Sequence, residues 1–238
     1  MGELDAAGRS ALVLRLARHV TARHDLDDVL AETFRCLRPL VAFAGGSIQL
    51  LDDDGWIQMA AADPPAAAHV LSQRVPLGTS VAGRVVLTEQ PVYLPDVEVE
   101  TLPLQRRKSV GNGTRSYLAI PLVADGAAIG ILQVDSPEPH AWTGEERELF
   151  LAVAPVVAAA IQNARAHARA AMARAHSVAA NRRLSEARHL VASVRAARRR
   201  GEDFDVERLL VRLEQVVCEL PELGRAGIRL PLQQLAVG

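Results

Sequence analysis

The sequence predicts an α+β domain: an antiparallel β-sheet of five to six strands, flanked by N- and C-terminal helices and followed by an α-helical tail. Short apolar segments between residues 47 and 135 are separated by turn residues, which is typical of strands. The flanking segments 11–40 and 143–163 instead repeat apolar residues with helical spacing. Strands grouped between helices favour an α+β arrangement. We expect a domain over residues 1–165, a helical tail over 166–220 and a short C-terminal extension over 221–238.

Two helices are predicted before the sheet. Their apolar residues recur at helical spacing: Leu12, Leu16, Val20, Leu26, Val29, Leu30, Phe34, Leu37 and Val41. Asp25 and Asp27 interrupt this pattern where a helix cap is expected, and Pro39 ends the second helix. The segment therefore reads as one helix, a short break and a second helix.

Two hairpins are predicted within the sheet. Segments 47–52 and 56–61 are joined by an Asp-Asp-Asp-Gly turn. Segments 117–122 and 128–135 are joined around Asp125 and Gly126, and this dipeptide is the stronger hairpin signal of the two. The sheet should therefore be built largely from antiparallel neighbours.

The chain between the hairpins contains two shorter strands and one helix. We expect strands at 74–77 and 92–94 with a helix from about 80 to 88 between them. Gly78 and Gly83 bracket the turn into that helix, where glycine permits close backbone approach. Residues 97–114 are polar and basic, which predicts a long mobile loop.

The last helix of the domain is predicted to begin at Thr143, a helix cap followed by carboxylates that complement the helix dipole. Pro155 lies inside the apolar pattern and should kink the helix. Past Asn163 the chain becomes rich in alanine and arginine and stays helical until Gly201. Residues 206–220 then form an amphipathic helix.

Charge is distributed unevenly between the domain and the tail. Residues 1–163 carry 13 basic and 20 acidic residues, whereas residues 164–238 carry 14 and 8. Cys36 and Cys218 are the only cysteines, too few for a disulfide framework or a zinc cluster. The longest apolar run, 149–161, is shorter than the roughly 20 residues that a membrane-spanning helix needs. We expect a cytoplasmic protein that contacts no membrane.

Four segments together resemble the GAF domain family. They are Arg-Val-Pro-Leu-Gly-Thr-Ser-Val-Ala-Gly from residue 74, Gln-Pro-Val-Tyr-Leu-Pro-Asp from 90, Arg-Ser-Tyr-Leu-Ala-Ile-Pro-Leu from 115, and Ile-Gly-Ile-Leu-Gln-Val-Asp from 129. The helix 150–163 is similar to the last helix of that family. The resemblance covers about residues 11–165, and the segments occur in the family's order.

The resemblance implies a small-molecule pocket over the sheet, covered by the 80–88 helix and the 97–114 loop. Carried over by position, its lining would be Thr79, Ser80, Val81, Asp96, Arg107, Lys108, Tyr117 and Gln133. Amides at the start of the 80–88 helix could also hold an anionic group, although Gly78 and Ser80 could equally serve only the turn and the helix cap. The ligand and any cofactor stay unnamed. The loop and strands hold no cysteine for covalent bilin attachment or thiol chemistry, and the loop holds no histidine for haem.

The arginine-rich tail permits several interpretations. In the GAF family such a helix commonly pairs in a dimer, so a homodimer through the terminal helices, signalling to a protein partner, is our main hypothesis. Charge neutralisation by the 206–220 helix is a second, and nucleic-acid binding is a third. The residues concerned are Arg182, Arg183, Arg188, Arg195, Arg198, Arg199 and Arg200. The tail lacks a convincing helix-turn-helix. We therefore favour a ligand-sensing regulatory protein, and a DNA-binding regulator is its rival.

Catalytic motifs are absent from the sequence. It contains no nucleophile elbow, no phosphate-binding loop and no zinc-protease motif. Glu145, Glu146 and Glu148 lie in the first turns of a helix, where carboxylates usually complement the dipole. We predict a protein that is not an enzyme, with no catalytic and no metal-binding residues. A GAF-like redox enzyme is the weaker alternative.

Overall fold

The computed structural model describes residues 6–23, 25–66, 71, 73–78, 80–99, 113–201, 208 and 211. The chain divides into two compact units, Met1–Ala168 and Arg169–Gly238. The first unit contains helices α1 (Ala6–Thr21), α2 (Leu26–Leu37) and α3 (Val81–Thr88). Helix α4 (Gly144–Arg199) begins in the first unit, and its bounds extend into the second.

The first unit is built on one six-stranded sheet. Its strands are β1 (Gly45–Leu51), β2 (Trp56–Asp63), β3 (Arg74–Pro76), β4 (Val92–Leu94), β5 (Ser116–Ala124) and β6 (Ala127–Ser136). They lie in the order β3-β2-β1-β6-β5-β4, and all neighbours pair antiparallel. The predicted α+β fold is confirmed.

The predicted turn and cap residues serve as the sequence indicated. Asp125 and Gly126 both have positive φ, 52° and 79°, as a two-residue hairpin turn between β5 and β6 requires. The Asp25 carboxylate caps α2 by accepting a hydrogen bond from the amide of Asp27 at 2.9 Å. At α4, the amide of Glu146 donates to Thr143 Oγ1 at 3.2 Å and the amide of Thr143 donates to Glu146 Oε2 at 2.9 Å, a reciprocal capping box.

Helices α1, α2 and the first part of α4 pack against one face of the sheet. Phe150, Val153, Val157 and Ile161 of α4 have no exposed surface, and they meet alternate residues of the central strands such as Ile48. This spacing leaves Pro155 on the exposed side of the helix, and α4 continues through it. The kink predicted at Pro155 stays a prediction. Because this face is filled by helices, a small-molecule site over the sheet must use the other face.

Helix α3 covers part of that second face. Val81, Ala82, Val85 and Val86 pack over the apolar residues of β5 and β6 on this side, among them Ile131. A side chain at Gly83 would place its Cβ only 2.6 Å from the backbone nitrogen of Gly78, and Gly78 has a φ of 86°. Glycine at both positions therefore lets α3 lie against its own entry turn.

Helix α4 is long and apolar enough to cross a membrane by length and composition alone. Its most apolar window has a mean hydropathy of 1.5, and half of that window is buried inside the protein. A buried core helix passes the same test, which makes this weak support for a membrane span. The apolar run 149–161, which is shorter than a membrane span, lies within this helix.

In the second unit, the described part of α4 is mostly exposed. Met172 and Val178 are 66% and 68% exposed, and Leu184 and Val191 are also exposed. Glu186 lies 3.5 Å from the guanidinium of Arg182. The helix ends at Arg199, and Gly201 has a φ of 67°, in agreement with the predicted break. The helix predicted over 206–220 lies outside the described residues except for 208 and 211.

Candidate functional site

Five polar side chains lie together on the second face of the sheet. Four belong to β1, β5 and β6, and the fifth, Thr114, lies shortly before β5. Ser47 on β1 pairs with Gln133 on β6, and Tyr117 on β5 pairs with Asp135. Ser47 lies on this face because the alternate residues Ile48 and Leu50 belong to the helix-covered core. We call this set the polar cluster: Ser47, Thr114, Tyr117, Gln133 and Asp135.

The hydroxyl of Ser47 is buried and unpaired. The side chain is 4% exposed, and its Oγ has no hydrogen-bond partner among the residues that the structure describes. A buried hydroxyl without a partner costs about 1–3 kcal/mol, and most buried polar groups in proteins are paired. An unpaired buried hydroxyl among polar side chains is a candidate contact for an atom of a ligand.

Tyr117 and Gln133 form the best-defined contact in the cluster. The Tyr117 hydroxyl donates to Gln133 Oε1 at 2.5 Å. Burial raises the pKa of Tyr117 well above its ordinary value, with a smaller contribution from the Asp135 carboxylate. The phenol therefore stays protonated and can donate. Gln133 accepts with its oxygen, which leaves its amide nitrogen to donate elsewhere.

Asp135 brings a carboxylate into the cluster. Its Oδ2 accepts one hydrogen bond, from Thr114 Oγ1 at 3.3 Å. Its Oδ1 lies over Gly45, where a Cβ would come within 2.6 Å of it. Burial raises the pKa of Asp135, and the Thr114 hydrogen bond opposes this in part. The Asp135 carboxylate is thus partly removed from solvent, and the hydrogen bond from Thr114 offsets little of the cost of desolvation.

Three residues predicted to line the pocket have other structural partners. Ser80 caps α3, since its Oγ accepts a hydrogen bond from the amide of Gly83 at 3.1 Å. Val81 packs in the apolar core beneath α3. Asp96 pairs with Arg115, at 2.6 and 3.1 Å, and that hydrogen-bonded guanidinium lowers the pKa of Asp96.

The remaining predicted residues divide into two groups. Tyr117 and Gln133 lie together in the polar cluster, as described above. Thr79, Arg107 and Lys108 lie outside the described residues. The prediction missed Ser47, Thr114 and Asp135. The alternation in 47–52 placed Ser47 on one side of a strand, but the sequence did not show which face was free of helices.

A groove of about 500 Å³ lies elsewhere on the first unit. It is open to solvent and runs between the start of α2 and the β1–β2 hairpin. Its lining residues include Leu26, Leu30, Met59 and Arg165. It contains none of the predicted pocket residues and none of the polar cluster. The unpaired buried hydroxyl of Ser47 therefore lies in a different place from this groove.

Possible metal ligands and the cysteine in the part of the chain that the structure describes bear on redox and metal chemistry. No group of three or more His, Cys, Asp or Glu side chains there could hold a metal ion. Cys36 is half-buried on α2, against the helix-covered face, with its Sγ 3.4 Å from Glu32. Burial and the Glu32 carboxylate raise the pKa of the Cys36 thiol, so it is not activated as a nucleophile.

A six-stranded antiparallel sheet, with helices on one face and a short helix partly covering the other, defines an α+β domain. The GAF domain family model matches residues 25–161, and the chain belongs to the GAF domain family.

Relatives and solved structures agree with this assignment. A Nif-specific regulatory protein of Azospirillum lipoferum is 25% identical over 114 residues, covering 47% of this chain and 18% of the relative. The corresponding protein of Herbaspirillum seropedicae is 26% identical, over 56% of this chain and 26% of the relative. The chain thus spans about a quarter or less of these two relatives. The GAF domain of a phosphoenolpyruvate-protein phosphotransferase from Coxiella burnetii superimposes with a TM-score of 0.61 at 23% identity, over 69% of this chain and 99% of that one.

Enzymes also occur among the structural neighbours. The free methionine-R-sulfoxide reductase of Neisseria meningitidis, solved with its substrate, gives a TM-score of 0.58 at 20% identity, over 69% of this chain and 95% of that one. At this identity the likeness concerns the fold. The GAF fold therefore occurs in both regulatory proteins and an enzyme.

Proposed function

We propose that this chain is the sensor module of a regulatory protein, and that it binds a small molecule at the polar cluster. The observation that carries the proposal is the unpaired Ser47 hydroxyl, buried beside Gln133 and Asp135. The similarity to Nif-specific regulatory proteins supports a regulatory role. Sensing requires only that a ligand binds one state of the domain better than another.

Helix α4 is the element that would transmit the signal. Its first part lies in the core, where Phe150, Val153 and Val157 are completely buried. Its later part carries the exposed arginines. A change in the sheet that repacks the buried part of α4 would be passed along the same helix to the part that carries the arginines. We propose that this helix is the output of the module.

The tail is proposed to bind an acidic protein surface. Six of its predicted residues are exposed and one, Arg183, is half-buried: Arg182, Arg183, Arg188, Arg195, Arg198, Arg199 and Arg200. Glu186 is the only acidic residue between 164 and 201, and it lies beside Arg182. Nucleic acid is the rival partner. Because phosphate binding weakens steeply with salt, a gel shift of generic duplex DNA at low but not high salt would favour the rival.

We further propose that the module forms a homodimer through its terminal helices. Leu14 on α1 and Leu151 on α4 are 63% and 41% exposed, although both lie on helices that pack in the core. A contiguous apolar patch is typical of a contact surface, and we propose that these two side chains contribute to one. Sedimentation of the wild type and of a Leu14→Glu, Leu151→Glu variant tests this, and a monomeric wild type would overturn it.

An enzymatic role is not part of this proposal. Cys36 lies on the helix-covered side and is not activated, and Cys218 lies outside the described residues. A Cys36→Ser, Cys218→Ser variant should keep all ligand binding and signalling. Loss of a thiol-dependent reductase activity in that variant would instead support the redox alternative.

The test of sensing is a thermal-shift screen of the full chain against metabolites of different charge classes. At least one compound should raise the Tm of the wild type and raise that of Ser47→Ala less. Ser193→Ala, an exposed serine of the second unit, is the matched control and should respond like the wild type. Hydrogen exchange in residues 169–199 should change when that compound is bound. If no compound of any class shifts the wild type, the proposal is wrong.

A further inference from the structure

The half-buried Asp135 carboxylate has few partners among the residues that the structure describes. Its one side-chain hydrogen bond, from Thr114, is long at 3.3 Å. Neither of its oxygens forms an ion pair with any residue that the structure describes. The nearby base Arg115 is already engaged, 2.6 Å from Asp96 and 3.4 Å from Glu98. Asp135 therefore has unused capacity to bind a positive group.

A desolvated carboxylate responds to such a place in one of two ways. It takes up a proton, or it pairs with a cation that restores the lost solvation. Burial already raises the pKa of Asp135. A cation at Oδ1 would reverse that effect and would form a charge-assisted hydrogen bond, which is stronger than a neutral one.

The neighbours of Asp135 restrict which other chemical groups a cationic ligand can have at this site. Gln133 lies two residues away on the same face of β6, and its amide nitrogen is left to donate because its oxygen accepts from Tyr117. Ser47, opposite Gln133 on β1, offers a buried hydroxyl. Both can donate to an acceptor adjacent to the cation. Opposite cross-strand neighbours have Cβ atoms about 5 Å apart, a spacing that one small ligand can bridge.

We propose that the polar cluster binds a small ligand through a protonated amine at Asp135, with an adjacent oxygen atom of the ligand held by Ser47 and Gln133. This inference rests on the proposed function and names the ligand class of the same site. It also excludes a class, since a phosphate or carboxylate placed at Asp135 would meet a like charge in a medium of reduced dielectric constant. Anionic ligands are therefore disfavoured at this position.

The experiment is an NMR titration of the ¹⁵N-labelled full chain with matched pairs of compounds. L-Alaninamide and L-leucinamide each carry an ammonium next to an amide oxygen. Their partners, L-lactamide and L-2-hydroxyisocaproamide, carry a hydroxyl in place of the ammonium. At least one amine should shift the amide resonances around Ser47 and Asp135, and it should bind about tenfold or more tightly than its hydroxyl partner, as a charge-assisted contact predicts.

Variants locate the binding. Asp135→Asn should weaken the amine about tenfold or more and leave the hydroxyl compound nearly unchanged. Asp53→Asn, an exposed residue of the β1–β2 turn, should bind like the wild type. Ser47→Ala should weaken both members of a pair. This second variant and the wild-type comparison keep the test decisive even where Asp135→Asn does not fold.

The outcomes separate the two proposals. Equal binding of an amine and its hydroxyl partner, or unchanged amine binding in Asp135→Asn, would overturn the amine assignment. If only neutral or anionic metabolites from the thermal-shift screen bind at Ser47, the amine assignment fails and the sensor function stands. If no compound of any class binds the wild type, both fail.

Discussion

Replacing Ser47 by alanine should make the ligand-free protein more stable, which is unusual for a buried position. The Ser47 side chain is 4% exposed, and its hydroxyl has no hydrogen-bond partner among the described residues. Burying an unpaired hydroxyl costs about 1–3 kcal/mol, while the single oxygen atom contributes only a few weak dispersion contacts. We therefore expect the free energy of unfolding to rise by about 1 kcal/mol. For a domain of this size that raises the Tm by about 2–4 °C.

Ser116 provides the matched control. It is also a buried serine on the sheet, with no exposed surface, but its Oγ donates to the carbonyl oxygen of Leu94 at 3.4 Å. Ser116→Ala removes a hydroxyl that is paired through a long hydrogen bond, and it should lower the stability by about 0.5 kcal/mol. The two variants make the same chemical change at two buried positions of the same sheet, and they differ in whether the hydroxyl is paired.

The assay is urea denaturation of the full chain followed by circular dichroism, with ligand-free protein for all variants. The reasoning is refuted if Ser47→Ala loses as much stability as Ser116→Ala, because that result would mean that the Ser47 hydroxyl is satisfied, for example by a bound water. A gain in stability together with weaker ligand binding is the signature of a binding residue. Such a residue is kept for function at the expense of the fold.

Two further predictions concern the fold around the site. Glu32 is 5% exposed and accepts three hydrogen bonds from the mostly exposed Arg35, which lower the pKa of Glu32 below its ordinary value of 4.5. A carboxylate whose pKa is lowered in the folded state stabilises the fold at neutral pH, and this stability is lost as the pH falls through that lowered pKa. Glu32→Gln should therefore lower the free energy of unfolding by about 1 kcal/mol at pH 7, and the difference from the wild type should shrink below pH 4.5. A difference that stays constant with pH would contradict the ion pair. Gly83→Ala places a Cβ 2.6 Å from the backbone nitrogen of Gly78, so it should lower the Tm by several degrees, at about 2–4 °C per kcal/mol, whereas the exposed, open Gly144→Ala should change it little.

Much of the local structure was predictable because it depends on neighbours in the sequence. The Asp125–Gly126 turn, the Asp25 cap and the Thr143 capping box are each defined by residues a few positions apart. Alternation and helical spacing located the strands and helices to within a few residues. The family resemblance named two members of the polar cluster, Tyr117 and Gln133, whereas Ser80 caps a helix. The ligand-binding role predicted for these residues stays a prediction.

The sequence by itself determined the family, the element types and the contrast between an acidic domain and a basic tail. Only the tertiary structure decided which face of the sheet is covered by α1, α2 and α4. It also decided that Ser47 lies opposite Gln133 and near Asp135, although more than 80 residues separate Ser47 from either of them along the chain. The physical reason is that hydrogen-bond satisfaction is a property of three-dimensional neighbours. A serine in an alternating strand looks the same in sequence whether its hydroxyl is paired, as in Ser116, or unpaired, as in Ser47.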